Sequence, residues 1–138
     1  MTVELNHIII PAKDKRASAE FLAGILGVEV GPQWGPFIPV HVANGVTLDY
    51  QDYSEDFLSH HCAFLVSEPE FDAVFSRIGE AALTYYADPA REQPGEINHL
   101  YGGRGVYFED PDGHVMEVIT QPYGDKPEWN ASSSASEA

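Results

Sequence analysis

The sequence predicts an α+β domain built from two βαβββ modules, and three observations carry that prediction. Runs rich in β-branched and aromatic residues alternate with two stretches whose apolar residues recur at helical spacing. The order of elements in the first half recurs in the second. Matching segments open and close the halves: His7-Ile8-Ile9-Ile10 lines up with His61-Cys62-Ala63-Phe64, and Asn44-Gly45-Val46-Thr47-Leu48-Asp49 with Asp112-Gly113-His114-Val115-Met116-Glu117.

Module one covers about residues 3–53 and opens with a strand over Val3–Ile10. Lys13 or Asp14 is placed to cap the helix that follows, Phe21, Leu22, Ile25 and Leu26 form its apolar face, and Gly27 stops it. Short strands are expected at Val28–Val30, Phe37–Val42 and Val46–Tyr50, the last two joined by the tight-turn pair Asn44-Gly45. Module two, about 58–123, begins with a strand over His60–Val66 and continues with a helix over Pro69–Ile78, Pro69 suiting its first turn. Strands near Leu83–Tyr86, Gly105–Phe108 and Val115–Thr120 follow. Asp110-Pro111-Asp112-Gly113 turns the chain between the last two, proline fixing φ and glycine tolerating a positive one. The stretch from Pro89 to Asn98 reads as an inserted loop, residues 1–123 as one domain, and the small, polar segment 124–138 as a disordered tail.

A chain of 138 residues is one ordinary domain, and 43% apolar residues suit a globular protein. No apolar run approaches the roughly 20 residues that span a bilayer, and the N-terminus lacks the pattern of a signal peptide, so a cytoplasmic location is expected. The 22 acidic residues against 7 basic ones give a formal net charge of −15 with no basic cluster, which argues against nucleic-acid and anionic-membrane partners. The net charge says little about a small-molecule substrate, because local charge in a pocket can oppose the global sign. The single cysteine, Cys62, rules out an internal disulfide and a thiolate-rich zinc site.

Strand alternation puts His7 on a face with Leu5 and Ile9, His61 with Ala63 and Leu65, and Glu117 with Val115 and Ile119. Each is a polar group in an apolar face, a costly placement unless it is paired or ligated. Equivalent strands of a two-module fold face one another, which would let the three converge. Two histidines and one carboxylate make a facial triad with open coordination positions, a set that favours Fe(II) and also accommodates Mn(II), Zn(II), Ni(II) or Co(II).

These segments resemble the vicinal-oxygen-chelate (VOC) superfamily, which includes glyoxalases, type I extradiol dioxygenases, fosfomycin-resistance transferases and bleomycin-binding proteins. The resemblance rests on the βαβββ repeat, on Leu5-Asn6-His7-Ile8-Ile9-Ile10-Pro11 and on the segment from Asp110 to Ile119, and it spans about residues 3–122. It implies a cupped mixed sheet with His7, His61 and Glu117 as metal ligands, and a homodimer. The spacing Ile97-Asn98-His99, then Val106-Tyr107, Asp110-Pro111-Asp112-Gly113 and Glu117 is similar to the signature of extradiol dioxygenases. That similarity implies that His99 and Tyr107 assist catalysis by hydrogen-bonding substrate and oxygen-derived oxygens, in ring cleavage of a small catechol-like or enediol-like compound.

Asp49 matches Glu117 by repeat position and is one methylene shorter. As a fourth ligand it would leave fewer free positions and shift the expectation to a glyoxalase-type isomerase, epimerase or lyase. A third reading is a metal-free module that sequesters an antibiotic or other aromatic natural product. Arg104 is a candidate contact for a substrate carboxylate, and Trp34 and Tyr101 are candidate walls of an aromatic pocket, alongside Phe37, Tyr50 and Tyr53. His41 and His60 are expected at the surface or behind the ligands, and His114 in the turn before the last strand.

Overall fold

The computed structural model describes residues 2–123, so the predicted tail over 124–138 lies outside the described residues. The described residues form two compact units: residues 2–60 with Asp110–Asp112, and residues 61–109 with 113–123. Each contains one small sheet and one helix, which makes the fold mixed α+β. Among the described residues no helix is long and apolar enough to cross a membrane.

In the first unit the order is β1 (His7–Ala12), α1 (Lys15–Leu26), β2 (Phe37–His41) and β3 (Thr47–Asp52). Strand β1 runs parallel to β3, β2 runs antiparallel to it, and the sheet order is β1-β3-β2. Asp14 caps α1 by accepting a hydrogen bond from the Ala17 N–H at 3.1 Å, and Gly27 ends it in the left-handed region at φ 76°. Ala19, Leu22, Ala23 and Ile25 on α1 are buried together with Ile10, Ile38, Val40, Leu48 and Tyr50 on the sheet. The opposite sheet face, with His7, Thr47, Asp49 and His41, is left partly or fully exposed.

Two expectations change here. The strand predicted at Val28–Val30 shrinks to a single bridge between Val30 and Val40. Gly31 and Pro32 follow at once, and proline has no N–H to continue a ladder. Strand β1 begins at His7 instead of Val3, because its partner ladder starts at Thr47, whose N–H reaches back only to the Asn6 carbonyl at 2.9 Å.

The second unit runs β4 (His61–Leu65), α2 (Glu68–Glu80), β5 (Tyr85–Tyr86), a 3-10 turn at Leu100–Gly102, β6 (Gly105–Glu109) and β7 (Val115–Ile119). Its sheet order is β4-β7-β6-β5, with β4 parallel to β7 and the other pairs antiparallel. A capping box starts α2: the Ser67 hydroxyl accepts from the Glu70 N–H while the Glu70 carboxylate accepts from the Ser67 N–H. Phe71, Val74 and Ile78 are buried with Val106, Phe108, Met116 and Val118, and side chains of this size contribute about 1.5–3 kcal/mol each on burial.

The internal repeat holds at the level of register. His7 pairs with Thr47 as His61 pairs with Val115, and Ile9 with Asp49 as Ala63 with Glu117. Across the antiparallel pairs, Pro39 lies opposite Asp49 as Tyr107 lies opposite Glu117.

Candidate active site

Strand alternation and register bring three of the predicted residues together in module two. His61 on β4 and Glu117 on β7 are diagonal neighbours on one face, and Tyr107 on β6 is the direct cross-strand partner of Glu117. The His61 Nε2 and Glu117 Oε1 atoms are 2.9 Å apart, with the His61 side chain 47% exposed and that of Glu117 13%. The Tyr107 ring meets the His61 ring edge-on with centroids 5.8 Å apart. A ring nitrogen and a carboxylate oxygen therefore converge with one side open to solvent. Their mutual hydrogen bond is the contact that a cation, coordinated by both, would replace. Among the described residues no three His, Cys, Asp or Glu side chains form a metal-holding group, so within one chain this site offers a pair of donors.

Module one carries the corresponding pair, His7 and Asp49, at the same register positions. No hydrogen bond joins them. The shorter aspartate carries its carboxylate one methylene less far from the strand than Glu117, and His7 Nδ1 instead contacts Asn6 Oδ1 at 2.8 Å. Both residues line a cavity of about 420 Å³. Its apolar wall comes from Pro32, Trp34, Phe37 and Pro39, and Thr47 and His41 complete the polar side. His7, Thr47 and His41 stand in one cross-strand row, and His41 Nδ1 is 3.2 Å from the Thr47 hydroxyl. The sequence leaves His41 at the surface or behind the ligands and does not place it beside His7. The signal was present in Asn44-Gly45, because a hairpin turning there sets His41 opposite Thr47.

His99 immediately precedes the 3-10 turn, is exposed, and its side chain makes no hydrogen bond or ion pair among the described residues. Tyr101 is buried, has φ 57°, and meets the Tyr123 ring edge-on at 6.1 Å. Trp34 is 72% exposed and stacks on Phe37 at 6.1 Å between centroids. Arg104 turns to α2 and is not free in the way expected of a substrate contact. Its guanidinium bonds Glu68 at 2.8 Å and Asp72 at 2.9 Å and lies 4.4 Å over the Phe71 ring. The hydrogen bond that Arg104 donates to Asp72 foremost raises the Arg104 pKa, and those from Thr120 and then Arg104 lower that of Glu68. His114 is fully buried just before β7.

No protein-family model matches the chain. Among curated proteins it is similar to the glutathione transferase FosA of Serratia marcescens, 26% identical over 125 residues that cover 86% of this chain and 81% of that protein. It is also similar to the metallothiol transferase FosB of Lysinibacillus sphaericus (strain C3-41), 24% identical over 136 residues, 91% of this chain and 89% of that one. Among solved structures, oxidase ChaP-H2 is 63% identical with a TM-score of 0.88, covering 90% of this chain and 98% of its own. A glyoxylase/bleomycin resistance protein/dioxygenase domain from Frankia sp. EAN1pec shares the fold at a TM-score of 0.68 and 14% identity, over 88% of this chain and all of that one.

Proposed function

Because the chain belongs to the vicinal-oxygen-chelate superfamily, we propose that it is a metal-dependent oxygenase that opens the ring of a small catechol-like or enediol-like compound. The observation that carries this reading is the convergence of His61, Glu117 and Tyr107 on one open sheet face. The 63% identity to a protein named an oxidase supports the oxidative branch.

The donor set fits a divalent metal, with Fe(II) favoured: one imidazole nitrogen and one carboxylate oxygen already lie within 3 Å of each other on a solvent-accessible face. His7 is the proposed third ligand, contributed through a homodimer in which first and second modules pair across copies. Strands β1 and β4 are edges of their own sheets, and exposed Ile9 and Leu65 flank the two histidines on their faces, the kind of surface a second copy covers. When bound, the metal supplies a redox-active Lewis acid for two adjacent substrate oxygens.

The protein's own residues position the substrate around that centre. Tyr107 is packed against the His61 ring and is 5% exposed, so its phenol is held in a fixed orientation to hydrogen-bond a substrate oxygen. His99, exposed and unengaged, is available to carry a proton to or from substrate.

The test is metal content and oxygen uptake. Protein purified without chelator should retain metal, His61→Ala and Glu117→Gln should lose it, and Fe(II)-reconstituted wild type should consume oxygen with members of a catechol panel. Retention of metal by both variants, or no uptake across the panel, would remove the proposal. A non-oxidative reading is favoured by one observation, the transferase names of the curated relatives. In that case Asp49 joins as a fourth ligand, and activity appears with Mn(II), Ni(II) or Co(II) without oxygen.

A further inference from the structure

The cavity of module one is divided by polarity. Trp34, Phe37 and Pro39 form a flat apolar side, while His7, Thr47 and His41 stand in a row at the other end of the same sheet face. Along β2, Phe37 and His41 are four residues apart, or about 13 Å at strand rise.

The aromatic side is rigid. Trp34 and Phe37 exchange both backbone hydrogen bonds, at 2.8 and 2.9 Å, across a turn in which Gly35 supplies φ 54°. The Lys15 ammonium holds that turn by donating to the Pro36 carbonyl at 2.8 Å, and the Gln33 amide donates to that of Gly35 at 2.9 Å. An indole left 72% exposed on so fixed a turn keeps a large apolar face in water that burial would otherwise stabilise. The polar side is fixed as well. His41 rests between the Thr47 hydroxyl and Gly31, where an added Cβ would come within 2.7 Å of Nε2, so glycine makes the room the imidazole occupies.

We propose that this cavity seats a planar aromatic ligand of two or more fused rings, stacked on Trp34, with a ring hydroxyl or its oxyanion hydrogen-bonded to His41. A rigid stacking surface and a pre-set polar partner lower the ordering cost of binding, and the volume of about 420 Å³ falls in the range of small-ligand sites. This specifies the substrate class for the metal-enzyme reading above and rests on it for the identification of the ligand as substrate. The stacking itself is testable without metal.

Only two tryptophans occur in the chain, so Trp129→Phe leaves Trp34 as the single indole reporter. Metal-stripped Trp129→Phe protein titrated with 2,3-dihydroxynaphthalene should show saturable quenching of its fluorescence. By calorimetry Trp34→Ala should weaken binding of that diol about tenfold, the size expected for loss of one aromatic stack. His41→Gln should weaken the diol and leave naphthalene unchanged. Absence of saturable quenching, or equal diol affinity in wild type and Trp34→Ala, would overturn the inference. Quenching that persists in protein that binds no metal and consumes no oxygen would refute the oxygenase reading and sustain this one. Oxygen uptake with an unchanged KM in Trp34→Ala would do the reverse.

Discussion

Asp112 offers a stability test with a magnitude that follows from its contacts. One carboxylate oxygen accepts the Lys13 N–H at 3.0 Å and the other accepts the Ser18 hydroxyl at 2.6 Å. Ser18 lies on α1 and is 1% exposed, so water cannot replace the carboxylate, whereas the contact to Lys13 is at the exposed surface. Truncation in Asp112→Ala strands a buried hydroxyl, a penalty of about 1–3 kcal/mol, and removes a charge-assisted bond to a backbone N–H worth about another 1 kcal/mol. The expected loss is therefore about 2–4 kcal/mol. Ser18→Ala removes the buried hydroxyl and leaves a part-exposed carboxylate that water can reach and that keeps its bond from the Lys13 N–H, so it should cost only about 1 kcal/mol, with alanine favoured in a helix. In the Ser18→Ala background, Asp112→Ala should cost about 1 kcal/mol. The double-mutant cycle then reports a coupling of roughly 1–3 kcal/mol, measured by urea unfolding at constant m-value. Additive losses within about 0.5 kcal/mol would refute the reasoning, since they would mean that the two side chains do not depend on each other.

Two further outcomes follow from the second unit. Arg104→Gln should lower the melting temperature by no more than a few degrees, because its acidic partners are largely exposed, and it should leave the KM for a substrate carrying a carboxylate unchanged; a raised KM would return Arg104 to the substrate site. At the start of α2, hydrogen bonds from the Ser67 backbone and then its hydroxyl hold the Glu70 pKa below its ordinary value. That contribution is present above the ordinary carboxylate range and is lost as pH falls through the lowered folded-state pKa. Thermal melts from neutral pH to pH 3 should therefore show a shallower acid decline in Ser67→Ala than in wild type, and parallel curves would contradict the assignment.

Much of the architecture was legible because local signals agree with the repeat. Asp14 and Gly27 bound the first helix, Pro69 sits in the first turn of the second, and the Asn44-Gly45 and Asp112-Gly113 turns set the matching ladders. Strand parity put His61 and Glu117 each on an otherwise apolar face in the sequence, and the parallel β4–β7 ladder makes those two faces one. What was not legible depended on partners distant in sequence. Arg104 looked free between glycines, yet the acids that engage it lie on α2, Glu68 being 36 residues away. Val28–Val30 had the composition of a strand, but a strand also needs a neighbour, and Gly31-Pro32 leave only one bridge. The gap between His7 and Asp49, set against the contact between His61 and Glu117, comes down to one methylene and the local bond of His7 to Asn6, which no pattern of residue types measures.

The three residues Asp110–Asp112 belong to the first compact unit although the strands on either side of them, β6 and β7, belong to the second. Neither half is therefore a continuous stretch of gene. A chimera joined once near residue 60 would inherit α1 from one parent and the acid that fastens to it from the other. Exchange of halves between relatives is then governed by a condition invisible at the junction: the donor's turn must present a carboxylate where the recipient's helix presents a buried hydroxyl.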